Sequence, residues 1–154
     1  MLRRGGGVSV GDGDRRPLCL HLCCDGASRG NPGPASAAAV LRDEEGTVLT
    51  EVSQRLGSTT NNVAEYFGLI IGLEEALKLR ADEVVVESDS QLLVRQCSGE
   101  YRVRNARLRR LRDWVSRLEQ GFTRVTYRHV PRERNREADA LARRAFKKSS
   151  PAEE

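Results

Sequence analysis

The chain has 154 residues, 38% of them hydrophobic and 31% charged, which supports one soluble domain around a single core. No apolar run follows Arg3 and Arg4, which argues against a secretory signal, and no segment is long enough to span a membrane. The net charge of +4 conceals two unlike parts: residues 1–100 hold 10 Lys/Arg against 15 Asp/Glu, whereas residues 101–154 hold 16 against 7. The basic part is almost all arginine. For the run Arg102 to Arg117, phosphate recognition and solvated helix faces stand as equal readings.

Residues 1–16, rich in Gly, Arg and Asp, predict a disordered leader, and 148–154 a flexible tail, on either side of one domain spanning 17–147. Leu18 to Cys24 is apolar on both faces and reads as a central strand. It runs into Asp25 and a stretch of Gly, Pro and Asn that sets turn geometry and should stop the strand. Cys19, Cys23 and Cys24 lie in or at the end of this strand, with Cys97 far downstream. None has C-x-x-C spacing, so they read as buried thiols in a reducing, cytoplasmic compartment. Ala35 to Arg42 and Thr47 to Leu56, joined by Asp43-Glu44-Glu45-Gly46, form a hairpin and complete a meander.

Thr60-Asn61-Asn62 offers cap residues for a helix whose Val63, Tyr66, Ile70, Leu73 and Leu77 recur at helical spacing. Asp82 to Ser88 is a buried strand of parallel character, and Ser90 to Cys97 a short helix. Asn105 to Gln120 is an amphipathic helix, Phe122 to Val130 a last strand and Asn135 to Lys147 a last helix. The order βββαβααβα predicts an α/β fold: a five-stranded mixed sheet, with an antiparallel meander extended by parallel crossovers and helices on both faces.

Four acids have local explanations that compete with functional ones. Asp25 is a turn former or a carboxylate aimed into a site. Glu65, in the first turn of its helix, serves the helix dipole or sits beside the buried stripe. Asp89 is an N-cap or a ligand at the carboxyl end of a strand. Asp139 falls on or beside the packed face of the last helix, where an unpaired carboxylate is costly. A carboxylate cluster raises its own pKa values unless a cation sits among them, and all-oxygen ligands select hard cations, Mg²⁺ or Mn²⁺. The chemistry that fits is two-ion hydrolysis of a phosphodiester.

D-G-A-S-R-G-N-P-G-P (25–34), T-N-N-V-A-E-Y (60–66), E-S-D-S-Q-L-L-V (87–94) and H-V-P-R-E-R-N-R-E-A-D-A-L-A (129–142) together resemble type 1 ribonuclease H, in its compact archaeal and bacterial form. The resemblance covers Leu18 to Phe146, with the motifs in the family's order. It implies the ribonuclease H-like fold and an endoribonuclease that cleaves the RNA strand of RNA–DNA hybrids, leaving 5′-phosphate and 3′-hydroxyl ends. It also implies two Mg²⁺ ions, with Mn²⁺ as a substitute, held by Asp25, Glu65, Asp89 and Asp139. Asn31, Asn61 and Asn62 fall on minor-groove and 2′-hydroxyl contacts, for which an amide supplies both donor and acceptor. For Asn61 and Asn62 a capping role remains open. Thr60 could hold a phosphate of the DNA strand, and Asn135, grouped with these substrate contacts, is open between a helix cap and a bond that orients a site group.

Two departures from the family's longer members matter. Their loop histidine has no counterpart, since H-V-P-R-E-R-N runs straight into the helix. Arg132 is the candidate replacement, able to neutralise phosphate charge but not to act as a base. His129 then reads as structural and His21 as a core histidine. The basic handle is also absent at Ser98 to Arg104, leaving hybrid binding to Arg102, Arg104 and Arg107, and the leader is too short for a separate hybrid-binding domain. A monomer with no obligatory protein partner is expected. The competing readings are a DNA nuclease or resolvase of the same fold, and a non-catalytic nucleic-acid-binding module.

Overall fold

The computed structural model describes residues 16–149. The expected leader, apart from Arg16, and residues 150–154 of the expected tail lie outside the described residues. Strand β1 (Cys19–Ser28) is the middle of a five-stranded sheet of order β3-β2-β1-β4-β5. Strands β2 (Gly33–Arg42) and β3 (Val48–Thr59) add antiparallel on one side. Strands β4 (Glu83–Ser88) and β5 (Arg124–His129) add parallel on the other. The mixed sheet expected from the element order is therefore the one observed.

One boundary differs where it matters. The Gly- and Pro-containing stretch does not end β1 at Cys24: Gly26, Ala27 and Ser28 pair with Ala37, Ser36 and Ala35 of β2. Gly26, Ala27 and Ser28 each keep a backbone N–H for the ladder, and the first proline of the stretch, which has none, comes only at position 32. Asp25 thus stands inside a paired strand, opposite Ala38, and the chain reverses at Arg29–Pro32, closed by Arg29 N–H donating to Pro34 O (2.8 Å).

Strand periodicity sends alternate side chains of β1 to opposite faces. Leu20, Leu22 and Cys24 enter the main core, against helix α1 (Asn61–Lys78) through Leu69 and Leu73 and helix α3 (Ala106–Glu119) through Leu108, Leu111 and Val115. Cys23 enters a smaller core with Val40, Ala138 and Leu141 under helix α4 (Arg136–Ser149), which follows a 3₁₀ turn at Arg132–Asn135. The short helix α2 (Gln91–Cys97) adds Leu93 and Cys97 to the main core. Truncating a fully buried residue such as Leu22 to alanine would cost about 2–5 kcal/mol.

Helix α1 meets the sheet at glycines. A Cβ on Gly26 would lie 2.2 Å from the Ala64 carbonyl carbon and 2.4 Å from Glu65 N, and one on Gly68 would lie 2.5 Å from Asp25 O. Backbone therefore packs on backbone at the level of Asp25, and this close approach brings Glu65 towards β1. None of the described helices is long and apolar enough to cross a membrane.

Candidate active site

The four acids arrive from four elements. Asp25, only 7% exposed, comes from the middle of β1; Glu65 from α1; Asp89 from the residue after β4; Asp139 from the first turn of α4. Asp25 and Asp139 share a hydrogen bond, Asp89 acts on Asp25 through its charge, and Asp89 acts likewise on Glu65. These interactions link the acids in a row, Asp139–Asp25–Asp89–Glu65. No three of these acids converge within 4.8 Å of one another among the described residues.

The local alternatives for two of them fall away. Ser90, not Asp89, caps α2: its hydroxyl accepts from Leu93 N–H at 3.2 Å. The same hydroxyl bonds the Glu65 carboxylate. Helix α1 starts at Asn61, so Glu65 lies beyond its first turn instead of within it, and that turn holds no acid for the dipole. The reason is that Thr60 takes the cap, accepting from Val63 N–H at 3.3 Å.

Electrostatically the row lacks positive charge. Burial, then the Asp139 hydrogen bond and the charges of Asp89 and Asp139, push the Asp25 carboxyl from 3.8 up to about 8, against a smaller opposing pull from the Gly26 N–H. Burial chiefly pushes Glu65 up to about 7; the Ser90 hydroxyl opposes this and Asp89 adds to it. A hydrogen bond between two carboxyl groups needs a proton on one of them, and a cation in that place would remove the need. The donor set, all carboxylate oxygen, fits a hard divalent ion. Partial compensation comes from Arg132, whose Nε lies 3.6 Å from Asp89 Oδ2, and from Arg143, whose Nε donates to Asp139 Oδ2 at 3.1 Å. Arg132 is thereby placed beside the row, and its side chain is 81% exposed. Ser90 and Arg143 were not expected from sequence; the spacing of Arg143, four residues after Asp139 on one helix, was the available signal.

The polar candidates separate by role. Asn31 Oδ1 accepts from Asn61 N–H (2.9 Å), and Asn61 Oδ1 accepts from Ser28 N–H (3.0 Å), so the β1–β2 turn is tied to the start of α1. Neither Asn61 nor Asn62 caps the helix. Both are exposed, and the side chain of Asn62 makes no hydrogen bond to the described residues. Thr60 sits half-buried at the same edge. Asn135 needs correction as a substrate contact. It is 1% exposed, and its amide nitrogen donates to Cys24 O (3.0 Å), leaving Oδ1 buried without a partner. It ties the approach to α4 to the residue before Asp25 and so positions Asp25 and Asp139 relative to each other. His129 is exposed at the end of β5. His21 is half-buried instead of a core histidine, because the small core under α4 is built on Cys23, and Cys19 is likewise half-buried.

A mixed sheet of this order, with an acid row at its centre, defines an α/β domain of the reverse transcriptase-like class, and the family model of that description matches residues 23–145. The chain belongs to the ribonuclease H family, whose members depend on divalent metal. It is 43% identical to the N-terminal RNase H domain of Rv2228c from Mycobacterium tuberculosis, solved as a fusion with maltose-binding protein; the match covers 89% of this chain and 99% of that one, with a TM-score of 0.84. For RNase H1 of Halobacterium salinarum the values are 41% identity, 84% and 98% coverage and a TM-score of 0.82. For LC11-RNase H1, solved in complex with RNA/DNA hybrid, they are 38%, 86%, 98% and 0.79. The chain spans 34% of the length of the bifunctional mycobacterial Rv2228c and 64% of the Halobacterium salinarum ribonuclease HI.

Proposed function

We propose that the chain is an endoribonuclease that hydrolyses the RNA strand of RNA–DNA hybrids, giving 5′-phosphate and 3′-hydroxyl ends, with two Mg²⁺ ions that Mn²⁺ can replace. The observation that carries this reading is the acid row itself: four carboxylates from four elements, with burial and mutual charge pushing Asp25 and Glu65 up as a site short of cations would. Asp25, Glu65, Asp89 and Asp139 are the residues that would hold the ions. Divalent ions bound there supply an activated water and neutralise charge at the scissile phosphate.

The chain's own groups do the rest. Asp25 and Glu65, whose carboxyls are pushed up by burial, are the groups that bound cations would hold ionised. Arg132, exposed beside Asp89, meets the phosphate and offsets its charge as the bond breaks. Asn62 offers an uncommitted amide to 2′-hydroxyls. Asn31 and Asn61 present the turn beside it with their geometry fixed by mutual hydrogen bonds. Thr60 opens α1 at the same edge, where backbone amides and the helix N-terminus favour a phosphate. Asn135 stays behind the row as a positioning residue. Arg102, Arg104 and Arg107 are exposed ahead of and at the start of α3 and suit the backbone of a duplex.

LC11-RNase H1, 38% identical, was solved with an RNA/DNA hybrid, which favours the hybrid over other duplexes as substrate. All four acids come from one chain, which favours a monomer needing no protein partner. Four free thiols favour a reducing compartment such as the cytoplasm.

The test is a side-by-side cleavage assay on RNA–DNA hybrid, double-stranded DNA and double-stranded RNA, with EDTA, Mg²⁺ or Mn²⁺, and Asp25→Asn as control. Hybrid cleavage that needs metal and is lost in Asp25→Asn, while hybrid affinity stays within about tenfold, is the expected result. Cleavage of DNA but not hybrid would assign the chain to the resolvase-type nucleases. Binding without turnover would make it a non-catalytic module.

A further inference from the structure

Strand β1 carries chemistry at both ends of one face. Its odd-numbered side chains, Cys19, His21, Cys23 and Asp25, point to the side on which α4 packs. Helix α4 covers Cys23 through Ala138 and Leu141. Beyond its reach, at the end away from Asp25, Cys19 and His21 remain half-buried. There the β2–β3 turn brings in Glu44. The Cys19 thiol, an imidazole nitrogen of His21 and a carboxylate oxygen of Glu44 all lie within 4.8 Å of one another.

Neighbouring charges are committed elsewhere. Arg42, directly across the ladder from His21, is paired with Glu137 and reaches towards Cys23 Sγ. Arg124, which acts on Cys19, lies 3.4 Å from Glu83. The thiol is left facing the Glu44 carboxylate, which acts on it through its charge. The turn that presents Glu44 is held by its own bonds: Asp43 Oδ1 accepts from Glu45 N–H and Thr47 N–H, both at 2.9 Å. Gly46 takes the positive φ of 89° that the reversal requires.

We propose that Cys19, His21 and Glu44 form a site for a zinc-class transition-metal ion, with water completing a tetrahedral set. A tetrahedral ion with ligand bonds of about 2.0–2.3 Å holds its donors roughly 3.5 Å apart, which these side chains reach by small rotations. Thiolate and imidazole select such an ion over Mg²⁺ or Mn²⁺, so this site and the acid row differ in the metals they take. Asp25 lies six positions after Cys19 along the strand, about 20 Å, so the two sites share no ligand. Binding exchanges the Cys19 S–H bond for a sulfur–metal bond, and the proton leaves to solvent. The ion ties the start of β1 to the β2–β3 turn and stabilises the folded chain by mass action.

The test uses the full chain, stripped with chelator, with Mg²⁺ in excess to fill the acid row. Co²⁺ is added as the probe and then displaced with Zn²⁺. One equivalent of Co²⁺ should produce thiolate-to-cobalt charge-transfer absorption, which Zn²⁺ abolishes. Cys19→Ser should eliminate the band, and Glu44→Gln and His21→Gln should each weaken Zn²⁺ binding at least tenfold in chelator competition. Should the strand variants fail to fold, Glu44→Gln, on an exposed turn, carries the test, with Mg²⁺-dependent cleavage unchanged. Absence of the band in the wild type overturns the site. So does a band that survives Cys19→Ser, or Zn²⁺ affinity unaltered by Glu44→Gln.

Discussion

Replacing Asp25 by asparagine removes the acid whose ionisation the fold opposes most. Its carboxyl is pushed from 3.8 up to about 8, first by burial and then by Asp139 and Asp89. In the unfolded chain the group ionises above 3.8, whereas the folded protein keeps its proton until about 8. Across that window the folded state binds more protons, so this residue lowers stability progressively as pH rises. At about 1.4 kcal/mol per pH unit, the penalty at pH 7 is bounded on the order of 4 kcal/mol, and relaxation and entering water reduce it to ~1–3 kcal/mol. The neutral amide carries no such penalty, and its NH₂ can donate where the shared proton lay. For a domain of this size the variant should gain roughly 3–10 °C in Tm at pH 7. The assay is thermal unfolding of both proteins in EDTA from pH 4 to 8. Glu65 titrates in both and cancels in the difference. The gain should be near zero at pH 4, grow with pH and level off above about 8. A gain independent of pH, or a variant less stable than wild type at neutral pH, would refute the reasoning.

Three further substitutions separate chemistry from scaffold. Arg132→Ala should lower kcat on hybrid by roughly tenfold, worth about 1.4 kcal/mol. Its Tm should stay within a degree or so, since the side chain is 81% exposed; wild-type turnover would remove Arg132 from the site. Gly26→Ala places a methyl 2.2 Å from the Ala64 carbonyl carbon and should cost at least ~3 kcal/mol in urea unfolding, because neither backbone can yield. An unchanged midpoint would mean that α1 does not press on β1. Asn62→Ala should raise KM for hybrid with kcat and Tm unchanged. Asn61→Ala should raise KM and also lower Tm by about 1–3 °C, through loss of the bond from Ser28 N–H. Equal thermal stability in the two variants would contradict the division between them.

Element types and their order could be read from periodicity, because β1, α1 and the Val84–Val86 strand each bury a side-chain pattern that fits one geometry. What could not be read were contacts between distant segments. Asp25 looked like a strand end because its neighbours are turn formers, and only the pairing with Ala38 places it within a ladder. Asp89 and Ser90 are adjacent candidates for one cap, and their competition is decided by which reaches Leu93 N–H. Asn135 has several readings in a polar run, and only its partner, Cys24 O, 111 residues away in sequence, decides among them. The grouping of Cys19, His21 and Glu44 was hidden for the same reason. Spacing of i and i+2 on a strand does not resemble a C-x-x-C pair, and the third member comes from a turn.

The acid row and the core are held by different interactions, and that separation has a consequence for metal removal. Asp25 is kept in place by the β1–β2 ladder and the Gly26–Gly68 contact with α1, Glu65 by a helix anchored through Leu69 and Leu73, and Asp139 by Ala138 and its neighbours under the sheet. None of these supports involves a carboxylate. The self-repulsion of the row, a few kcal/mol at most, therefore acts on a scaffold whose packing does not depend on it. Three groups relieve the strain without ions: the proton that the raised Asp25 carboxyl keeps, the guanidinium of Arg132 beside Asp89, and that of Arg143 bonded to Asp139. Chelation should accordingly abolish cleavage while the chain stays folded, with Tm lowered by only several degrees at neutral pH and almost unchanged at pH 4. Cooperative unfolding on addition of EDTA, followed by circular dichroism, would show instead that cations hold the sheet and helices together.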